Sequence, residues 1–148
     1  MQTKQISELD KAYHFMQSAH EVQTRWDGKT PYSTHPDRVV KMMELFGVTD
    51  KTLLTVGYLH DVLEDTKITP QQILDEFGLD VLQLVKELTF VRGPDDLYLE
   101  QVKRLSVKAK LVKVADLIAN LTDDGKKSDH FISKRVQALS IIMRELVV

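Results

Sequence analysis

Helical periodicity runs through almost the whole chain and leaves room for little besides a bundle. From Ile6 to about Gln23, Ile6, Leu9, Ala12 or Tyr13, Met16 and Ala19 or His20 recur on one face. The segment RWDGKTPYST loses that period at Gly28 and Pro31 and reads as a loop. His35-Pro36 opens a second helix carrying Val39, Val40, Met43 and Leu45 or Phe46, with a stop at Gly47. Thr49 or Asp50 caps a third helix, from Lys51 to about Asp65, apolar nearly all round until its acidic end. Thr69-Pro70 to Gly78 is a fourth, and Asp80 to about Thr89 a fifth. Gly93-Pro94 breaks the chain before a sixth, from Asp95 or Asp96 to roughly Leu105. Ser106 precedes a long apolar helix to about Leu121, and TDDGKKSD is an exposed loop. A last helix from about His130 closes the chain with Val136, Leu139, Ile142, Met143 and Leu146. LVKVA has the composition of a buried strand, but its setting in a longer helical pattern favours helix. The expectation is an all-α, compact helical bundle, with residues 1–148 as a single domain.

Composition narrows the chemistry. A chain of 148 residues buries roughly 70% of its unfolded surface, enough for a core without staples. There is no cysteine, so any metal must be held by nitrogen and oxygen. A net charge of -2 supplies no basic field, so no nucleic acid is expected as partner. Charges interrupt every apolar run before the length of a membrane span. The N-terminal MQTKQISELDKAYHF lacks the apolar stretch of a secretory signal, so a cytoplasmic location is expected. Homo-oligomerisation stays open.

The segment Tyr58 to Thr66 carries the strongest chemical signal. His60-Asp61 ends an apolar helix, and Glu64-Asp65 follows one turn later, so helical spacing projects all four to one side. Carboxylates crowded on a buried helix repel one another and need a compensating cation. The plain alternative is a solvated helix end with a chance His-Asp pair; the paired acids weigh against it. Asp116 interrupts the apolar LVKVADLIANL, with Asn120 one turn further on the same face. Alone it could be a hydrogen-bond hub; beside His60-Asp61 it supplies a remote carboxylate. His35 directly precedes Pro36, which favours an extended, fixed imidazole. Two histidines and two aspartates suit one divalent ion, with Mn²⁺ preferred over Zn²⁺, Fe²⁺ or Mg²⁺.

HEVQTRWDGKTPYSTHP (His20 to Pro36), VGYLHDVLEDT (Val56 to Thr66) and LVKVADLIANL (Leu111 to Leu121) together resemble the Rel/SpoT-type HD hydrolases. That group includes stand-alone small alarmone hydrolases and their animal homologues. The resemblance extends from about residue 9 to 121, motif order and spacing included. It implies an HD-domain bundle with His35, His60, Asp61 and Asp116 as metal ligands and Mn²⁺ as the ion. It also implies Glu64 and Asp65 as the catalytic acids at the water nucleophile, Arg25 against the nucleotide base, and Asn120 in the nucleoside pocket. The implied activity is release of pyrophosphate from the 3′ position of guanosine tetra- or pentaphosphate. The partner is then a small phosphorylated nucleotide, and the 148 residues leave no room for a synthetase half.

Several positions depart from the pattern. Trp26 follows Arg25 where a basic residue is usual, Leu117 and Ala119 stand for Arg and His, and Thr122-Asp123 follow Leu121. These changes bear on the substrate and leave the metal chemistry untouched. An adenine alarmone, a deoxynucleotide or NADPH is the alternative substrate, and a non-catalytic nucleotide-binding module the alternative function. Trp26 and Tyr32 are candidates to line the substrate pocket by their place beside Arg25, although both could simply pack the loop. His20 and Gln23 are expected to hold the loop by hydrogen bonds. His14 and His130 belong to no constellation. Lys126-Lys127 and the run Lys103, Arg104, Lys108, Lys110 and Lys113 are read as solvated.

Overall fold

The structure, a computed structural model, describes residues 6–147; the first five residues of the segment read for a secretory signal lie outside them. The described residues form helices α1 (Glu8–Ala19), α2 (Thr34–Leu45), α3 (Lys51–Leu59), α4 (Val62–Asp65), α5 (Pro70–Phe77), α6 (Leu79–Leu88), α7 (Asp95–Arg104), α8 (Val107–Thr122) and α9 (Asp129–Val147). No strand occurs among them; Thr24 and Pro31 make a single isolated bridge. The fold is all-α, and LVKVA lies within α8.

α3 and α8 form the centre. α2 packs on both, α1 covers α3, α6 meets α3 and α8, and α9 closes α7 and α8. Met16, Val39, Met43, Val56, Leu59, Ile73 and Val85 fill the main core. Burying each such side chain contributes about 1.5–3 kcal/mol. A second cluster, Val102, Val114, Leu117, Ala138 and Ile142, joins α7, α8 and α9. Leu117 and Ala119 are both fully buried, so these departures from the family pattern serve packing.

Several boundaries differ from the sequence expectation. α1 begins after Ser7, whose side chain accepts from the Asp10 N–H, which leaves Ile6 outside the helix and 73% exposed. It ends at Ala19, because His20 and Gln23 form a turn leading to the Thr24–Pro31 bridge. Leu45 and Phe46 lie outside the core, since the chain turns away at Gly47 with φ 91°. On α9 the buried side runs through Ala138 and Ile142, which leaves Val136 and Met143 half exposed. The third helix is broken between α3 and α4. The His60 ring takes the Gly57 carbonyl at 2.7 Å, the acceptor that the Asp61 N–H would use in a continuous helix. α5 follows the expected signals: a Thr69–Gln72 capping box, Pro70 in the first turn and Gly78 at φ 91°.

Candidate functional site

Three central elements bring the four expected ligands together. His35 comes from the first turn of α2, His60 and Asp61 from the break between α3 and α4, and Asp116 from the middle of α8. One donor atom from each lies within 4.8 Å of the others. His35 is helical rather than extended. Pro36 sits in the first turn, where its missing N–H costs no helical bond, so α2 runs through it and overrides the usual pre-proline bias at His35. His35 Nε2 is 2.9 Å from Asp116 Oδ1 and 3.8 Å from Asp61 Oδ2. His60 Nε2 is 3.1 Å from Asp61 Oδ2 and 3.3 Å from Asp116 Oδ1, yet no partner is angled to bond it.

This donor set fits a divalent ion. The Nδ1 of His60 is spent on the Gly57 carbonyl, which directs Nε2 and its lone pair into the cluster. Burial works against a charge on His60, but Asp61 and Asp116 overcome it and raise its pKa well above the ordinary 6.5. An extra proton on His60 thus serves the carboxylates where a metal cation would. Burial likewise opposes charge on Asp116, and Lys113, 3.0 Å from its Oδ2, holds it ionised with help from the histidines.

Asp61 also belongs to a second group, with Glu64 and Asp65. The Asp65 N–H reaches the Asp61 carbonyl at 3.0 Å, so α4 keeps one turn of helical spacing while the break sets His60 deeper in the core. Glu64 is pushed up to about 7, by partial burial first and then by Asp61 and Asp65. Partial burial and Asp61 raise Asp65 as well. Both acids line a cavity of about 540 Å³ that also reaches Asp61 and Asp116.

The cavity wall includes Arg25, Trp26, Tyr32 and Asn120. Arg25 is already engaged: its guanidinium donates to Asn120 Oδ1 at 2.9 Å and Asp123 Oδ2 at 2.8 Å, and stands 4.1 Å from the Trp26 ring. Asn120 donates in turn to Asp116 Oδ1 at 3.1 Å, linking the cavity wall to the His/Asp cluster. The Tyr32 hydroxyl donates to Asp61 Oδ2, and burial followed by that carboxylate raises its pKa far above the ordinary phenol. His20 bonds Gln23 at 2.8 Å, and Gln23 receives the Tyr32 N–H.

Three lysines read as solvated are not. Lys113 pairs with Asp116, Lys127 with Asp123 at 2.9 Å, and the buried Lys110 with Glu145. Arg92, Lys134 and Arg135 line the cavity without having been singled out in the sequence. Arg135 lies over the Phe131 ring at 3.4 Å, one turn away on α9; that spacing was the only local signal.

A family model described as HD domain matches residues 12–138. Guanosine-3′,5′-bis(diphosphate) 3′-pyrophosphohydrolase MESH1 of Xenopus tropicalis is 38% identical over 125 residues, covering 76% of this chain and 67% of that protein. The bifunctional (p)ppGpp synthase/hydrolase SpoT of Escherichia coli strain K12 is 32% identical over 132 residues, covering 82% of this chain and 18% of the longer protein. A solved structure described as a metazoan ortholog of SpoT that hydrolyzes ppGpp superposes with a TM-score of 0.78. It is 26% identical and covers 98% of both chains.

Proposed function

The chain belongs to the HD domain family, and from that membership we propose that it is a metal-dependent hydrolase releasing pyrophosphate from the 3′ position of guanosine tetra- or pentaphosphate. The observation that carries this is the convergence of His35, His60, Asp61 and Asp116 within 4.8 Å, a cluster whose two aspartates line the same cavity as Glu64 and Asp65. The relatives named for this activity supply the substrate.

The four residues would hold one divalent ion, and two carboxylates with two imidazoles suit Mn²⁺. When bound, such an ion supplies Lewis acidity toward water and phosphoryl oxygen. Glu64, poised near neutrality, accepts the proton of the attacking water and returns it to the leaving oxygen. Asp65 orients that water beside it. Arg92 and Lys113, whose charges both act on Glu64, face the phosphates from that side of the cavity. Arg25 presents the flat guanidinium to the base with its charge already met by Asp123, so it contributes a stacking surface. Trp26 extends that surface, and Asn120 closes the nucleoside wall.

Incubating Mn²⁺-loaded protein with guanosine tetraphosphate, adenine alarmones, deoxynucleotides and NADPH, with chromatography of the products, tests the reading. Pyrophosphate released from the guanosine substrate is expected, and Asp61→Ala is expected to abolish it. Orthophosphate from NADPH, or triphosphate from a deoxynucleotide, would assign the substrate elsewhere on the same machinery. Asp61→Ala turning over at the wild-type rate would end it.

A further inference from the structure

Tyr32 joins the two acidic groups. Its hydroxyl donates to Asp61 Oδ2 at 2.5 Å and stands 3.3 Å from Asp65 Oδ2. Asp61 belongs to the ligand set and Asp65 to the acid group, and Asp61 is the member that the two share. A phenol has a single proton to donate, and here it is directed at these carboxylates. The side chain is therefore already employed before any nucleotide arrives.

The ring is also built into place. The Tyr32 N–H donates to the Gln23 carbonyl at 2.8 Å, and the Gln23 side chain is 2.8 Å from His20 Nδ1. The His20 ring lies against that of Tyr32, with centroids 4.6 Å apart. His20 is only 2% exposed and its Nε2 has no partner, a cost tolerated where the imidazole is needed as a buttress. Loop 24–31 folds back through the Thr24–Pro31 bridge, which brings Tyr32 over this pair.

We infer that Tyr32 is a positioning residue, a strut seated on His20 whose hydroxyl holds the metal ligand Asp61 and the acid Asp65 in fixed relation. This rests on the reading of the site as a metal-dependent hydrolase. Groups that hydrogen-bond a ligating carboxylate set its orientation, and removing one typically costs roughly 10–100-fold in metal affinity or activity. A tyrosine that only stacked on a nucleoside would act through its ring, so the hydroxyl separates the two roles.

Tyr32→Phe keeps the ring and its contact with His20 and removes the strut. Titrating metal-free protein with Mn²⁺ in a calorimeter, the variant should bind roughly tenfold or more weakly than wild type. At saturating Mn²⁺, kcat for guanosine tetraphosphate should fall by a similar factor with KM unchanged. Gln23→Leu, which removes the acceptor of His20 but keeps the backbone carbonyl under Tyr32, should weaken Mn²⁺ binding less, in the same direction. It carries the test should Tyr32→Phe not fold. Wild-type Mn²⁺ affinity in the folded variants, or a change confined to KM, would overturn the strut and leave the hydrolase reading standing. A wild-type protein that takes up no Mn²⁺ would overturn both.

Discussion

Among single residues, Glu64 and Arg25 show how far a side chain's neighbours change its use. Glu64 lies near neutrality because partial burial and two neighbouring carboxylates disfavour its charge. Its raised pKa makes it a base only above the titration, so kcat should rise with pH through a limb at or below about 7. A bound cation would shift that limb downward. Glu64→Gln should keep wild-type Mn²⁺ affinity, lose roughly 10²–10⁴-fold in kcat and flatten the limb, as read from a pH–rate profile. For Arg25, Asp123 neutralises the guanidinium and holds its plane against Trp26. Asp123→Asn should therefore raise KM more than it lowers kcat in steady-state assays, because an unheld guanidinium costs positioning. The convergence of His35, His60, Asp61 and Asp116 was legible in the sequence because acids and histidines break into apolar helices or stand at their ends. Arg92 and Lys134 were not, and Arg135 only through its one-turn spacing from Phe131: little that is local separates a cation facing a cavity from one facing water. Lys110 was misread for the same reason, since its partner Glu145 comes from a distant helix, whereas Lys113 and Lys127 pair with Asp116 and Asp123 at spacings of three and four residues that the sequence offered.

At the level of elements, the decisive feature is the break between α3 and α4. Periodicity gave a single helix to Asp65, because the side chain that interrupts it, His60, has no helix-breaking signature. What stops the helix is a ring-to-carbonyl bond three residues back, visible only in three dimensions. Helix ends marked by capping chemistry were legible, as at Thr69-Pro70 and Gly78, whereas α1 ends in a local turn from His20 to Gln23 that no glycine or proline marks. Gly57 serves this break twice, by accepting from His60 and by letting α2 and α3 approach closely. A Cβ at this position would lie 2.8 Å from Met43 Sδ and 3.0 Å from Val40 Cγ2. Gly57→Ala should therefore push α2 from α3 and destabilise the fold by about 1–3 kcal/mol in urea unfolding, with a flexible Met43 setting the lower end. Since His35 rides on α2 and His60 on the end of α3, Mn²⁺ affinity should fall in the same variant.

For the whole molecule, the His35, His60, Asp61 and Asp116 cluster ties folding to protonation, and would tie both to metal uptake. It joins α2, the α3–α4 break and α8, so a cation bound there cross-links the middle of the bundle. The sign of its pH dependence follows from His60. Its folded-state pKa is raised above 6.5, so the stability from its extra proton is complete below 6.5 and drains away as pH climbs through the raised value. Asp61 and Asp116 act oppositely: their lowered pKa values give stability above the ordinary 3.8 that is lost as pH falls through the lowered values. Metal-free protein should accordingly soften at both ends of the pH range. A divalent ion must displace the proton of His60, so loading should release protons, detectable as a buffer-dependent heat in calorimetric titration. At an ion concentration of one hundred times Kd, binding adds about 2.7 kcal/mol to stability. For a domain of this size that is a rise in Tm of roughly 5–10 °C. The gain should shrink as pH falls below the raised His60 pKa and vanish with chelator. A Tm indifferent to Mn²⁺ across that range would mean that these four side chains meet without holding a cation.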